Sequence, residues 1–530
     1  MQANYPDQWN LYLLALDQMH VGDQEDPLSY YAIASISGKI GHSGYCPHSM
    51  ALFLGWHRPY LALFEQVLYG RIQTLATYAP EDQRERYQWA ANSFRIPYWD
   101  WSLGDGGGGV PDFFVTETTM VDTPEGRRIE IWNPLYKYTF KSIPDGFDDK
   151  FMRINHTVRW PASEHPWEDS RQSEFVGSYA GVRRSVQDQV ALAFRQSDFK
   201  GFWNAIEQVH GWIHGTIGGG YSSTTGGRGH MWPLEYSSYE PLFWLHHTNV
   251  DRLFALWQVQ NPDAHLQPSN VGSAGNVFVA DGDTVDGETP LLPFWRKPGS
   301  FWNTNEAMDW RLFGYDYPET RAGSGASAGA TIAQLYSGSA RERMTSGQTA
   351  GSTHHSFSAD EAEYTDWVIN ASAAPLDLPP TFVVQFSLVG DFSSDASTDV
   401  GMWSTMLPAG HNQVKRLVRE VELLSKRATV EDMTLHGTVS LTSSLLDQIE
   451  AGNLQSLDEK DVVPFLKDKL SWKIYGGVGT QLPDSSLYSI RINIASETAR
   501  IPSDPNAPIA YSNTTIAHSE VTAGKMGGAN

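Results

Sequence analysis

The sequence predicts a mainly α-helical, bundle-like first domain followed by a C-terminal β-sandwich domain. Residues 59–69 and 202–212 repeat apolar side chains with the period of an amphipathic helix. From about residue 381 the chain changes to short runs rich in β-branched residues that alternate with polar ones, a pattern typical of strands. A chain of 530 residues exceeds what one hydrophobic core usually serves, so two domains are expected.

The boundary between the two parts is marked by composition. From about Arg321 the chain becomes rich in Ala, Gly and Ser, which is typical of an exposed linker. Four predicted strand runs follow, over residues 381–389, 433–441, 470–475 and 487–494. We therefore expect a first domain over 1–320, a flexible, protease-sensitive linker over 321–375, a β-sandwich over 376–512 and a loose tail over 513–530.

Charge and cysteine usage limit the partners and the compartment. The net charge of −23 disfavours nucleic acids and anionic membranes, which would repel an acidic surface. No apolar run is long enough to span a bilayer, and the N-terminus lacks the pattern of a signal peptide. The single Cys suits a reducing compartment, so we expect an intracellular, cytoplasmic protein that acts on small molecules. The sequence indicates no oligomeric state.

Seven of the histidines before residue 250 fall into two groups with the spacing of metal sites. A pair four residues apart on a helix places both rings on one face, although such a pair alone is more often structural. The joint pattern is stronger, and imidazoles without Cys or carboxylate ligands favour copper over zinc, nickel or iron. The groups are His42, His48 and His57, and His210, His214, His246 and His247.

Three segments within these groups resemble the two copper-binding regions of fungal tyrosinases and polyphenol oxidases, the type-3 dinuclear copper proteins. They are Cys-Pro-His at 46–48, Trp-His-Arg-Pro-Tyr at 56–60 and Phe-Trp-Leu-His-His-Thr-Asn-Val-Asp-Arg at 243–252, with the His-x3-His pair between the last two. The resemblance covers about residues 10–320 and, more weakly, the β domain. It implies two copper ions, with O2 bound as peroxide during turnover, and small phenolic substrates. The implied reaction oxidises o-diphenols and o-aminophenols, and hydroxylates monophenols more weakly, giving o-quinones.

The resemblance also implies the ligand set. Copper A would be bound by His48, His57 and one earlier histidine, and copper B by His210, His214 and His247. His246 would then lie near the substrate entrance, as a residue that adjusts the substrate's position or as a structural histidine.

The first copper A ligand is where this sequence departs from the family. Relatives carry a histidine where Ser37 stands here. We expect His42, which is close to His48 in sequence, to supply the third imidazole in preference to His20. The alternative is that the ligand has been lost.

Other positions of the motifs carry expectations of their own. Cys46, two residues before His48, is expected to form a thioether with it, the alternative being a small buried hydrophobic residue. Ligating imidazoles need partners that orient them, and the residues nominated around His247 are Phe243, Asn249 and Asp251. Arg58 is expected to pair with a carboxylate, with Asp100 as the candidate.

Two residues of the second copper region bear on the chemistry. Glu207 matches the family glutamate that holds a water in the site, although from sequence alone a solvated helix glutamate is as good an interpretation. The residue after the first copper B ligand is often Asn in strong monophenol hydroxylases, and here it is Gly211. The resemblance therefore implies weak monophenol hydroxylation.

The C-terminal region resembles the part of latent fungal tyrosinases that covers the active site, which implies a latent form and an activating protease. Residues 313–317 look like the tyrosine motif that closes the catalytic domain. Relatives insert a side chain into the substrate pocket, and the candidates here are Met406 and Trp403. No Cys-x-x-Cys is present for copper loading. Competing hypotheses are a hemocyanin-like O2 carrier and a catalytically impaired relative.

Overall fold

The structure is a computed structural model of the chain. It describes residues 1–38, 44–143, 154–163, 165, 168–219, 228–272, 274–321, 325–345, 361–374, 382–389, 397–406, 434–476, 481–483, 489–504, 506–512 and 514–529. Within these ranges none of the helices combines the length and the apolar character needed to cross a membrane.

The first domain is mainly helical, as predicted. Its helices are α1 (Pro6–His20), α2 (Tyr30–Ala34), α3 (Phe53–Ala76), α4 (Arg84–Asn92), α5 (Asp112–Val115), α6 (Gln172–Phe194), α7 (Phe199–Gly218), α8 (Leu234–Ser237), α9 (Leu242–Gln260) and α10 (Thr304–Ala307). Three two-stranded antiparallel ribbons decorate them: β1 (Thr118–Asp122) with β2 (Arg128–Trp132), β3 (Ser269–Asn270) with β4 (Thr284–Val285), and β5 (Pro290–Lys297) with β6 (Ser300–Asn303).

Helices α3, α7 and α9 contact one another in the middle of this domain. Helix α7 begins where the Asp198 side chain accepts the Gly201 N–H. It ends before Gly219, whose φ of 78° is a conformation that glycine adopts readily and other residues rarely do. In α9 every residue from Leu242 to Gln258 is buried, so this helix is surrounded by protein on all sides. Both predicted helical stretches lie inside α3 and α7.

The expected linker is partly folded. Residues 325–345 form helices α11 (Gly325–Leu335) and α12 (Ser339–Thr345). Ala328, Ile332 and Tyr336 belong to the core of the first domain, whereas Ala340 and Met344 belong to the core of the β domain. Ala-rich sequence favours helix once one face can be buried, which explains why the composition alone was misleading. Of the rest of the predicted linker, residues 346–360 lie outside the described residues, and residues 361–373 form a strand of the β domain rather than a flexible segment.

The β domain consists of two antiparallel sheets that share one core, as predicted for a sandwich. The first sheet has the order β10-β7-β12-β13, with β14 also paired to β12, and the second has the order β11-β8-β9. The strands are β7 (Glu361–Ala373), β8 (Phe382–Val389), β9 (Ser397–Thr405), β10 (Leu435–Ser440), β11 (Leu470–Gly476), β12 (Arg491–Pro502), β13 (Ala510–Tyr511) and β14 (Ile516–Ala517). Helices α13 (Thr442–Glu450), α14 (Glu459–Lys469) and α15 (Ser519–Thr522) complete it.

The expected loose tail is packed against the β domain instead. Val521 is fully buried, and the His518 ring packs against Trp367 with ring centroids 4.8 Å apart. The Nζ of Lys525 donates to the Leu470 carbonyl at 2.8 Å. These contacts hold the end of the chain because they bury apolar surface that the sandwich would otherwise expose.

The two domains are in close contact. Val383, Met402 and Met406 of the β domain belong to the core of the first domain rather than to that of the sandwich. Strands β9 and β10 lie against α6 and α7. The β domain therefore covers the helix that carries His210 and His214.

Candidate metal centre

Three imidazoles from two helices converge on one point. His210 and His214 lie one turn apart on α7, and His247 lies on α9. The Nε2 atom of His247 is 3.2 Å from Nε2 of His210 and 3.3 Å from Nε2 of His214. All three rings are buried. This grouping is the one predicted for copper B.

The tautomer of two ligand candidates follows from their hydrogen bonds. Nδ1 of His214 lies 2.7 Å from the Met231 carbonyl, and Nδ1 of His57 lies 2.7 Å from the Phe53 carbonyl. A carbonyl only accepts, so in both rings Nδ1 carries the proton and Nε2 keeps a free lone pair. This backbone bond is the usual orienting partner of a metal-bound histidine.

The rings are also in the charge state that metal binding requires. Burial lowers the pKa of His57 to about 3 and that of His214 to about 4. Burial, reinforced by neighbouring histidines, lowers the pKa values of His48, His210 and His247 well below the usual range. All five are therefore neutral at physiological pH and can donate a lone pair.

A second group forms beside the first. Cys46, His48 and His57 place their potential ligand atoms within 4.8 Å of one another. The rings of His57 and His247 stack with centroids 4.4 Å apart, and those of His48 and His210 are 5.3 Å apart. The two groups thus adjoin, as two metals sharing one small molecule would need.

The third copper A ligand predicted from sequence, His42, lies outside the described residues. The alternative, His20, is not part of either group, since its ring packs on Tyr30 and Tyr138 with centroid distances of 4.3 and 5.1 Å. Ser37, at the family's ligand position, is buried, and its carbonyl accepts the Cys46 N–H at 3.3 Å. The position where relatives carry the ligand is therefore beside the copper A group.

Cys46 is placed between the two copper A imidazoles. Its Sγ lies 3.2 Å from Nδ1 of His48 and 3.2 Å from Nε2 of His57. Burial raises the pKa of this thiol, so it is not an exposed, reactive thiolate. The proximity of Sγ to the His48 ring is compatible with the predicted thioether.

A buried ring nitrogen without a hydrogen-bond partner indicates that the site fits a metal ion. Nε2 of His48 is buried with no hydrogen-bond partner among the described residues. Buried polar nitrogens are costly unless paired, and a bound cation would satisfy this one together with the free Nε2 lone pairs. An all-imidazole donor set is suited to copper.

His246 differs from its neighbour. Its ring lies parallel to that of His210, at 19° and 5.0 Å between centroids, and 5.5 Å from the Trp101 ring. Both ring nitrogens are buried and lack a partner among the described residues. Its ligand atoms also belong to the four-histidine group with those of His210, His214 and His247. His246 is therefore placed at the centre itself.

The residues expected to orient His247 act differently from the prediction. Asp251 accepts from Arg58 Nε at 2.6 Å, from Tyr315 at 2.5 Å and from Tyr317 at 2.6 Å. It does not bond to the His247 ring, whose Nδ1 has no partner among the described residues. Asp251 instead ties α3 and the tyrosine motif to α9, which is how it holds His57 and His247 in place.

Asn249 and Asp100 form a second network. Asn249 Nδ2 donates to Asp100 at 3.4 Å, while Arg252 and the Tyr336 hydroxyl donate to the same carboxylate at 3.1 and 2.5 Å. The expected Arg58–Asp100 pair is therefore wrong. Adjacent positions on α9 point about 100° apart, so residues 251 and 252 meet different partners. Phe243 packs on the His247 ring, with centroids 4.1 Å apart.

Glu207 is enclosed rather than solvated. Its carboxylate accepts the Ser49 N–H at 2.6 Å and the Trp203 Nε1–H at 2.6 Å. Burial raises the pKa of Glu207 to about 8. Ser49, directly after His48, has a φ of 54°, which is rare for a residue other than glycine. Glu207 thus links α7 to the copper A loop, a link that the sequence did not reveal.

A cavity of about 140 Å³ opens onto these groups and is lined from both domains. A Cβ on Gly211 would lie 3.1 Å from Ser404 Oγ and 3.4 Å from Met406 Sδ. Met406 is buried, and its carbonyl accepts from Ser49 Oγ at 3.5 Å. Trp403 borders the cavity but packs within the sandwich core, against Phe382. Of the two predicted candidates, Met406 is the one that reaches the site.

A helical domain with two adjoining imidazole groups defines a dinuclear metal protein of the type-3 copper class. Family models agree with this class: the common central domain of tyrosinase matches residues 19–260, and the tyrosinase C-terminal domain matches residues 366–494. The chain belongs to the tyrosinase family, whose members are copper-dependent oxidoreductases acting on phenols.

Individual proteins extend this result over the whole chain. A tyrosinase of Neurospora crassa is 28% identical, and the alignment covers 99% of this chain and 94% of that protein. The fold matches that of latent and active mushroom tyrosinase with a TM-score of 0.79 at 22% identity, over 96% of this chain and 94% of that one. A hemocyanin of the octopus Enteroctopus dofleini is 30% identical over only 40% of this chain.

Proposed function

We propose that the protein uses O2 to oxidise o-diphenols to o-quinones at a dinuclear copper site, with o-aminophenols as further substrates. His48, His57 and one more imidazole would hold one copper ion, and His210, His214 and His247 the other. Copper bound there would supply reversible O2 binding and two one-electron steps. The observation that carries the proposal is the convergence of neutral, buried imidazoles beside a cavity that opens toward the β domain.

The chain's own residues position the substrate and its proton. The cavity is bordered by His210, Gly211 and Glu207, so a phenol ring that enters it lies against the His210 side of the site. Glu207 is the only carboxylate among the described lining residues and can exchange a phenolic proton. Since Gly211 adds no side-chain amide beside it, we propose that monophenol hydroxylation is weaker than diphenol oxidation.

The β domain keeps the enzyme latent in this proposal. Met406 fills the space above Gly211, where a phenol ring would lie, and an activating protease would release it. Copper content and O2 uptake with a monophenol, a catechol and an o-aminophenol, before and after limited proteolysis, test the function. Two coppers per chain with catechol oxidation that rises after cleavage are expected. Reversible O2 binding without quinone formation would favour an O2 carrier, and one copper or none an impaired relative.

Replacing His42 tests the unassigned copper A ligand. His42→Ala should lower copper from about two to about one per chain, because a metal left with two imidazoles binds poorly. His20→Ala should keep both coppers, and its ring packing on Tyr30 and Tyr138 makes it a stability control. Metal analysis of purified protein decides between them. Adding Ser37→His to the His42 variant should restore copper, since residue 37 lies beside Cys46.

The Cys46–His48 thioether predicts a covalent product that mass spectrometry can detect. In the copper-loaded protein the peptide containing both residues should lack two hydrogens and should not alkylate under denaturing conditions. The basis is the 3.2 Å separation of Sγ from the His48 ring nitrogen. Protein expressed without copper should show the free thiol. A fully active enzyme with an alkylatable Cys46 would contradict the prediction.

A further inference from the structure

The outer part of the substrate cavity is formed by one face of α7. Lys200, Asn204 and Gln208 are spaced by four residues along this helix, so they lie in a row, and all three line the cavity. The row precedes His210 along α7, and Lys200 is about 15 Å from His210 along the helix axis at 1.5 Å per residue. The catalytic groups thus lie at one end of the row and a cation at the other.

Lys200 is an isolated positive charge on a strongly acidic protein. Its side chain is exposed, and among the described residues it forms no hydrogen bond or ion pair. The nearest acidic residue in sequence, Asp198, is occupied by the Gly201 N–H at 2.9 Å. Glu207, at the inner end, is already bonded to Ser49 and Trp203. Among the described lining residues, Lys200 is therefore the only cation and stands at the outer end of the cavity, whereas the only carboxylate, Glu207, stands at the inner end.

The β domain occupies this row in a way that resembles an elongated ligand. Met406 lies over Gly211 at the inner end. One turn further out, Gln208 Nε2 donates to the His436 carbonyl at 3.0 Å, and its Oε1 accepts the Thr438 N–H at 3.3 Å. When the β domain leaves, an apolar site and an amide that binds carbonyl oxygen are both exposed. A phenol ring with an oxygen-bearing tail has the same order of groups.

We propose that the preferred substrates are o-diphenols with a carboxylate on a flexible tail, bound through Gln208, Asn204 and Lys200. This inference rests on the proposed function and adds the substrate class. The tail must be several atoms long because the row extends outward from the copper ligands. A phenylpropanoate-type acid should therefore benefit more than a benzoate, and an amine of the same length should be disfavoured.

The test compares kcat/KM for 3-(3,4-dihydroxyphenyl)propanoate, 3,4-dihydroxybenzoate, dopamine and catechol, using the full chain activated by limited proteolysis without separating the pieces. Lys200→Glu should lower the propanoate-to-dopamine ratio by about threefold to tenfold, the size expected when an exposed ion pair is replaced by repulsion. Catechol, which has no tail, should change less than about twofold. Lys297→Glu, an exposed charge reversal on β5, is the matched control.

Each outcome separates this inference from the proposed function. An equal change in both variants would show a general charge effect, and no change in either would show that Lys200 does not select; both overturn the inference while catechol oxidation stands. If the wild type oxidises no catechol, the proposed function fails. Calorimetric binding of 3-phenylpropanoate and 3-phenylpropylamine to the same proteins then decides the inference, which requires the acid to lose affinity only in Lys200→Glu.

Discussion

His247→Ala is expected to remove copper B and abolish catechol oxidation. Nε2 of His247 lies within 3.3 Å of Nε2 of both His210 and His214, so its loss leaves two imidazoles at that metal. The activity should fall by more than the roughly 10- to 100-fold that outer-shell changes cost, and copper should fall to about one per chain. Metal analysis together with O2 uptake measures both.

His246→Ala is the informative comparison, because His246 is next to His247 in sequence and its ring stacks on the His210 ring. We expect this variant to keep both coppers and to show a changed KM for catechol. His265→Ala, an exposed histidine after α9, should be neutral. Copper loss in His246→Ala with full retention in His247→Ala would reverse the assignment of the doublet.

Arg195→Met is expected to activate the uncut chain. Arg184 and Asp188 lie one turn apart on α6, Arg195 directly follows the helix, and each of the three contacts the β domain. Nη1 of Arg195 lies 3.2 Å from Asp366, its Nη2 pairs with Glu497, and its guanidinium lies over the Tyr511 ring. Without this cation, Asp366 is a buried carboxylate that keeps the Thr442 hydroxyl but lacks a positive partner, so docking should weaken. Catechol turnover should rise about fivefold or more with copper content unchanged.

The matched control is Arg500→Met, which removes an exposed Arg–Glu pair within the β domain, on strands β12 and β7. It should leave latency intact, because exposed pairs contribute little. Small-angle scattering would show the Arg195 variant as more extended than the control. A compact Arg195 variant with unchanged turnover would argue against α6 as the docking helix.

The position of the protease cut should affect the stability of the catalytic fragment. A protease site placed within residues 346–360 should release the β domain with copper retained. A cut at 322–324 should give a less stable catalytic fragment, because it separates Tyr336 from the catalytic domain. The Tyr336 hydroxyl donates to Asp100 and lies 2.5 Å from Arg252 Nη1, beside the helix of His247. The fragment 1–320 is therefore expected to be less stable than 1–345.

The sequence was most informative where function restricts residue type. Helix geometry predicted that His210 and His214 share one face of a helix, and the joint histidine pattern with the family resemblance added His247 to them. The family motifs then identified the second group. Of the strands, β8, β10, β11 and β12 overlap the predicted runs, since alternation and β-branching mark them directly.

The sequence was least informative about partners far apart in the chain. Arg58 and Asp251 are 193 residues apart, and only the packing of α3 on α9 decides that they meet. The same holds for Glu207 and the Ser49 amide, 158 residues apart. Strand β7 was hidden because polar and charged residues interrupt its apolar ones. The Ala- and Gly-rich helix α11 was hidden because its burial, rather than its composition, stabilises it.

We expect the short helical segment of residues 325–345 to make proteolytic activation irreversible. Ala340 and Met344 complete the core of the sandwich, yet a cut after residue 345 leaves them attached to the catalytic part. The departing sandwich then exposes the apolar surface that these side chains covered, which favours its aggregation or degradation over rebinding. Removal of the protease should consequently not restore latency, and each chain would be switched on once in its lifetime.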